Sequence, residues 1–159
     1  DYRDLNGNFD AIASIEMFEA VGAEWWPAYM QTLKRNLKPG GKAVIQSIDI
    51  RDELFEGYNS QPDFIQTYIF PGGLIPSPER FRVAAAQEGL NCVDSHHFGL
   101  SYAKTLRNWQ TNFNAVEDNV RQLGFDTEFI RLWSFYYSYC IGGFEADRTR
   151  VGQHTLRVA

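Results

Sequence analysis

The sequence has little of what several protein classes require. It contains only two cysteines, Cys92 and Cys140, in surroundings typical of a strand and of a helix interior. A disulfide framework or a zinc site is therefore not expected, and a reducing cytosol fits. No apolar run approaches the roughly 18 residues that a membrane span needs. The 15 lysines and arginines form no cluster, so the net charge of −5 predicts no nucleic-acid partner.

A glycine-rich turn of the kind that cradles phosphates or nucleotides is also missing before the first predicted strand. The chain opens at Asp1-Tyr2-Arg3-Asp4, without Met, and soon enters a pattern typical of a buried strand. We therefore expect it to be the C-terminal portion of a longer α/β protein whose first half lies upstream. The isolated portion is expected to be inactive.

Apolar periodicity predicts alternating strands and helices. Strands are predicted over 9–18, 42–50, 90–98 and 150–159, and helices over 26–38, 78–89, 105–123 and 127–144. Pro39-Gly40-Gly41 is expected to stop the first helix, and Ser77 to cap the second. Residues 51–77 lack a regular period and end in a turn-rich stretch, which is typical of a segment that covers a site. The interpretation is one partial domain over 1–159, with 51–77 and 104–144 as substrate-covering insertions.

In an open parallel sheet, ligands bind beyond the carboxyl ends of the strands. This selects Glu16 and Glu19 after the first strand and residues 46–48 late in the second. Glu19 lies among apolar residues, and burial of its carboxylate is unfavourable unless it holds a cation, a proton or a hydrogen-bonding ligand. The alternative, that Glu19 caps the following helix or faces water, stays open.

Two other pairs of residues raise the question of a metal site or a membrane anchor. His96 and His97 are neighbours on a predicted strand and point to opposite faces, so no shared metal ion is expected. Trp25 and Trp26 more readily start a helix packed on the sheet than anchor the chain at a membrane interface. The aromatic run over 129–139 predicts either an acyl-chain channel, together with 51–77, or ordinary core packing.

Several motifs in order resemble the cyclopropane-fatty-acyl-phospholipid synthase family, which is close to the mycolic acid cyclopropane synthases. They are FEAVG at 18–22, LKPGG at 37–41, YIFPGG at 68–73, FG at 98–99 and YAKTL at 102–106. The resemblance implies the C-terminal half of a class I methyltransferase Rossmann-like fold, a mostly parallel α/β sheet with helices and a helical insertion over the site. Its strands would be the fourth to seventh of a sheet ordered 3-2-1-4-5-7-6, which makes the first strand here an exposed edge. That edge predicts a homo-oligomer or a swapped assembly.

The resemblance also implies roles for individual residues. Glu19 and Tyr102 match residues that line a bicarbonate ion at the family's active centre, and the backbone of Ile48 matches one that contacts the ion. Gln46 stands where the family usually has His, so an amide that cannot titrate near neutral pH replaces an imidazole.

A second set of residues is implied to bind S-adenosylmethionine. Tyr2 and Arg3 resemble the family's segment at the adenine ring, although a frayed terminus is the alternative there. Glu16 resembles a residue near the methionyl part of the cofactor. No metal ligand is implied.

The function implied is S-adenosylmethionine-dependent methylene or methyl transfer to an unsaturated acyl chain of a phospholipid. The protein would then be cytoplasmic and peripheral to the inner face of the membrane, and bicarbonate would remove a proton as a cyclopropane ring closes. Two alternatives remain open. One is methyl transfer to another small acceptor, and the other is a non-catalytic lipid-binding module.

Overall fold

Four strands form a single sheet in the order β1-β2-β4-β3. The computed structural model describes residues 1–159. The strands are β1 (Phe9–Ile15), β2 (Leu37–Ile50), β3 (Leu90–His97) and β4 (Thr149–Val158). β1 pairs with β2 in parallel, and β3 pairs with β4 in the antiparallel direction. The order confirms the expected succession of the fourth, fifth, seventh and sixth strands of a class I methyltransferase sheet.

Seven α-helices accompany the sheet. They are α1 (Trp26–Asn36), α2 (Asp52–Ser60), α3 (Phe64–Tyr68), α4 (Pro78–Gln87), α5 (Gly99–Ala115), α6 (Glu117–Gln122) and α7 (Thr127–Glu145). The chain divides into two compact units. The first comprises Asp1–His97 with Arg150–Ala159 and holds the sheet, and the second comprises Phe98–Thr149. None of the helices combines the length and the apolar character needed to cross a bilayer.

The first helix ends earlier than the sequence predicted. α1 stops at Asn36, and the segment LKPGG already belongs to β2, where Leu37 pairs with Phe9. Gly40 has a φ of 79°, in the left-handed region. A Cβ at Gly41 would lie 2.9 Å from the Lys38 carbonyl oxygen. The two glycines thus let β2 shift its register against β1 and continue, instead of ending in a loop.

The segment over 51–77 is more regular than its sequence suggested, because it contains α2 and α3. α3 begins with a capping box, in which Asp63 accepts from the Gln66 N–H and the Gln66 side chain accepts from the Asp63 N–H. This spacing of Asp and Gln is a helix-start signal in the sequence that periodicity alone does not detect in so short a helix. The next helix, α4, has the predicted Ser77 cap and Pro78 at its start.

The long helix predicted over 105–123 is two helices. α5 and α6 are separated at Val116, whose φ of −115° and ψ of 19° are not helical. β-Branched valine has a weak helix preference, but nothing in the apolar spacing marks this break. α7 runs from Thr127 to Glu145 behind an Asp126 cap, close to the predicted bounds.

The core of the first unit is aromatic. Phe18 is fully buried, and its ring contacts those of Trp26, Tyr29 and Phe81 at centroid distances of 5.1, 5.1 and 5.2 Å. Since Phe18 lies three residues after the end of β1, this cluster fixes the chain at the point where the candidate site begins. Within the second unit, α5 packs on α7, with Tyr102 against Phe144.

One edge of the sheet is formed by β1, whose only sheet neighbour is β2. Phe9 and Ile15, at its two ends, are 46% and 69% exposed. An open edge with apolar side chains pairs readily with another strand. We expect the chain on its own to self-associate through β1, measured as a mass above that of the monomer by light scattering. A monomer at all concentrations tested would contradict this prediction.

Candidate active site at the ends of β1 and β2

Glu19 lies in a short 3₁₀ helix (Phe18–Ala20) after β1 and turns its carboxylate toward β2. Its Oε1 accepts a hydrogen bond from the Ile48 N–H, while its Oε2 is buried and has no hydrogen-bond partner. Burial raises the pKa of Glu19, against the lowering effect of the Ile48 N–H and the Ser47 hydroxyl. The buried, unpartnered oxygen is an acceptor positioned for a group that can donate.

The YIFPGG motif holds the backbone of Glu19 in place. The Leu74 N–H, just after the motif, donates to the Glu19 carbonyl oxygen at 2.8 Å. Gly72 has a φ of 82°, and a Cβ at Gly73 would lie 3.1 Å from the Phe70 carbonyl oxygen. The turn therefore requires glycine for two separate reasons. Beside it lies an open cleft of about 390 Å³, lined in part by the two glycines.

Gln46 is held by residues from two neighbouring strands. Its Nε2 donates to Glu16 Oε1 at 2.8 Å, and its Oε1 accepts from Gln153 Nε2 at 3.0 Å. The Glu16 N–H also donates to the Gln46 carbonyl oxygen at 2.8 Å. Glu16 adopts a φ of 50°, which is unusual for a residue with a side chain and is often found at functional sites. The two predicted residues Glu16 and Gln46 are thus brought together.

Gln153, on β4, was missed by sequence reasoning. It lies in a strand whose alternation is ordinary, 107 positions from its partner Gln46. Only the strand order, which places β4 beside β2, reveals the contact. No local signal in the sequence identifies Gln153 as a residue that orients the site.

The Ile48 backbone holds the Glu19 side chain. Its N–H donates to Glu19 Oε1, which fixes the carboxylate and gives a buried oxygen a donor. The contact of the Ile48 backbone with a bicarbonate ion, which the family resemblance implies, stays a prediction.

Tyr2 and Arg3 form a 3₁₀ helix that is anchored to α1, so the alternative of a frayed terminus does not hold. Arg35 donates to the Arg3 carbonyl oxygen at 3.0 Å, and the Tyr2 ring lies 5.7 Å from that of Tyr29. The Arg3 guanidinium pairs with Asp1 at 2.6 Å and lies 5.3 Å from the centre of the Trp25 ring. A contact between these residues and an adenine ring stays a prediction.

Tyr102 lies in the first turn of α5, in the second unit. Its ring makes edge contacts with those of Phe98 and Phe144, at centroid distances of 5.9 and 5.7 Å. Its convergence with Glu19 on one ion stays a prediction.

The sheet order, and polar side chains that follow β1 and line β2, define a class I methyltransferase fold. Cyclopropane synthase CmaA1, solved with SAH and CTAB, superposes with a TM-score of 0.87 and 26% identity, over 98% of this chain and 57% of that one. Cyclopropane synthase MmaA2 from Mycobacterium tuberculosis has the same fold, with a TM-score of 0.86 and 23% identity over 98% of this chain and 57% of its own. Residues 1–154 match the sequence model described as mycolic acid cyclopropane synthetase. The chain belongs to this family.

Two curated relatives agree with that assignment. A tuberculostearic acid methyltransferase of Mycobacterium tuberculosis is 39% identical over 98% of this chain and 37% of its own length. The cyclopropane-fatty-acyl-phospholipid synthase of Escherichia coli is 34% identical over 96% of this chain and 38% of its own. The chain thus spans less than two fifths of the length of these relatives.

Proposed function

We propose that the protein containing this chain transfers a methylene or methyl group from S-adenosylmethionine to an unsaturated acyl chain of a phospholipid at a membrane surface. The observation that carries the proposal is the buried Glu19 carboxylate, held by Ile48 beside the Glu16–Gln46 pair, in a chain of the cyclopropane synthetase family. Bound S-adenosylmethionine supplies an electrophilic methyl group. The residues of this chain bind and orient the reactants. They also help to remove the proton that must leave when a ring closes.

Bicarbonate fits the donor and acceptor inventory of Glu19. Two anions repel unless a proton lies between them, and the hydroxyl of bicarbonate provides that proton. The Glu19 Oε2 atom is buried and lacks a hydrogen-bond partner, so it can accept from such a hydroxyl. Because the Ile48 N–H is already donated to Oε1, the carboxylate is held with its other oxygen as the acceptor. Ile48 and Ser47 thus favour the ionised form that burial disfavours.

Gln46 orients the site in place of the histidine usual in the family. Its amide joins Glu16 on one side and Gln153 on the other. A carboxamide in such a network keeps its orientation, but it does not take up or release a proton in the ordinary pH range. Position 46 therefore relays no proton, and bicarbonate held by Glu19 would supply the base for the proton that the substrate releases.

An acyl substrate is favoured by the family to which the chain belongs. The second unit also exposes large apolar side chains, since Leu100, Trp109 and Leu123 are 71%, 54% and 77% exposed. Single exposed apolar side chains are common on proteins, so the family assignment carries the substrate class.

The cofactor site is proposed to need the segment that precedes this chain in its relatives. We expect isothermal calorimetry to detect little or no binding of S-adenosylhomocysteine to residues 1–159 alone. Clear binding is expected once the chain is joined to the upstream half of a relative such as the Escherichia coli synthase. Tight binding to residues 1–159 alone would contradict an incomplete site.

Lipid mass spectrometry tests the reaction. Cells that express the joined protein are expected to accumulate phospholipid acyl chains heavier by one CH₂, with loss of the corresponding alkene. An unchanged lipid profile, from a protein that binds S-adenosylhomocysteine, would instead favour another small acceptor.

A methyl-branched product is the second candidate. It is favoured by the similarity to the tuberculostearic acid methyltransferase, at 39% identity. Transfer of a methyl cation followed by proton loss without ring closure gives a branched alkene, which has the same formula as the cyclopropane. Mild catalytic hydrogenation before mass spectrometry therefore separates the two products, because the branched alkene takes up two hydrogen atoms and the ring does not.

A further inference from the structure

Two histidines and an aspartate meet on the face of the sheet opposite Gln46. Asp49 on β2, His97 at the end of β3 and His154 on β4 place one potential ligand atom each within 4.8 Å of the others. His97 Nε2 lies 3.2 Å from Asp49 Oδ2, and His154 Nε2 lies 3.8 Å from the same oxygen. Ligands about 2.1 Å from a tetrahedral zinc ion are separated by about 3.4 Å, and the two distances to Asp49 Oδ2 lie close to that value.

We propose that Asp49, His97 and His154 bind a divalent transition-metal ion, with Zn²⁺ as the best match. Two imidazoles and one carboxylate are a common set of three protein ligands for this ion, and they leave a fourth position for water or another small ligand. The proposal does not depend on the proposed function.

Gly152 provides the space in which the two imidazoles meet. It is paired with His97 across β3 and β4. A Cβ at position 152 would lie 2.8 Å from His154 Nε2 and 3.0 Å from His97 Cδ2. Any larger residue would therefore push the two rings apart. The glycine leaves room for the two rings, which a side chain at this position would have filled.

The surroundings orient His154 as metal-binding histidines are usually oriented. Its Nδ1 lies 2.9 Å from the Ser95 Oγ, which leaves Nε2 directed at Asp49. The Phe81 ring packs on the imidazole at a centroid distance of 4.7 Å. A hydrogen bond at one ring nitrogen and a packed ring face fix the direction in which the other nitrogen points.

Asp49 points independently to a missing cation. Its side chain is 1% exposed, and its Oδ1 is buried without a hydrogen-bond partner. A buried carboxylate oxygen with no partner is unfavourable unless a positive charge lies nearby. A divalent ion bound by Asp49 and the two imidazoles would supply that charge.

Titration with Zn²⁺ tests the proposed metal site. Zn²⁺ added to residues 1–159 at micromolar concentrations is expected to bind as a single ion per chain by calorimetry, and to raise the thermal unfolding temperature. His97→Ala, a change at a half-exposed ligand, is expected to weaken binding on the order of 100-fold. Asp49→Asn provides a second test of the ligand set.

His96→Ala is the matched control, because His96 is the adjacent histidine on β3 but pairs with Gln153 on the other face. It should bind zinc as the unmodified chain does, and circular dichroism verifies that each variant folds. Equal binding by His96→Ala and His97→Ala would overturn the proposal. Failure of the unmodified chain to bind Zn²⁺ would overturn it too.

Discussion

Glu19→Gln is expected to reduce the transfer rate on the order of 100-fold or more, in a protein that joins this chain to an upstream cofactor-binding half. Glutamine keeps the size of the side chain and an oxygen that accepts from the Ile48 N–H. At the position of the unpartnered Oε2, however, an NH₂ group replaces an acceptor. The variant therefore loses the group that is proposed to accept from bicarbonate, while the fold is expected to be retained. Initial rates at saturating S-adenosylmethionine, with product measured by mass spectrometry, give the result.

The pH dependence of stability provides a second readout for the same variant. Burial raises the pKa of Glu19 in the folded state above its ordinary value of 4.5. The unfolded chain therefore releases this proton first as the pH rises. The free energy of unfolding falls between about pH 4.5 and the folded-state pKa of Glu19. Glutamine does not titrate, so the unfolding temperature of Glu19→Gln should rise relative to that of the unmodified chain over this range.

Glu24→Gln is the control for the rate measurement. Glu24 lies in the same segment but is exposed, where its carboxylate accepts from the Trp25 indole N–H at 2.9 Å. It should leave the transfer rate unchanged. Full activity of Glu19→Gln would remove Glu19 from the proposed mechanism. If the unfolding temperature of Glu19→Gln depended on pH as that of the unmodified chain does, the Glu19 carboxylate would not be desolvated.

The strands could be predicted because their apolar patterns are local in the sequence, and their order could be predicted because it is shared with a family. Runs of buried β-branched residues identify β1 and β2, and the family resemblance supplies the order in which four strands lie. The bounds were less certain where glycine acts through the backbone. Gly40 and Gly41 were interpreted as the end of a helix, whereas they allow β2 to bulge and continue.

The candidate site was only partly predictable for a related reason. Glu19 and Gln46 follow from the rule that ligands bind at the carboxyl ends of parallel strands. Gln153 and the Asp49 cluster depend on the register between β4 and its neighbours, which the alternation of a single strand does not encode. From the sequence, His97 was considered as a metal ligand only together with its neighbour His96. The partners of His97 in the cluster come instead from two other strands.

Phe18→Ala is expected to have the largest effect on stability, with a loss of about 3–5 kcal/mol in the free energy of unfolding. Phe18 is fully buried, and its ring contacts three other aromatic rings. Domains of this size are stable by only about 5–15 kcal/mol, so the loss is a large fraction of the total. Urea unfolding followed by circular dichroism measures the change.

Phe70→Ala is the matched control, because Phe70 is 58% exposed and lies in the neighbouring YIFPGG turn. Its change should stay within about 0.5 kcal/mol. Phe18→Leu should lie between the two, since it retains part of the buried volume. The effect should extend to the site, because Phe18 directly precedes Glu19 and anchors its short helix. If Phe18→Ala were no less stable than Phe70→Ala, the aromatic cluster would not be what fixes the chain at the end of β1.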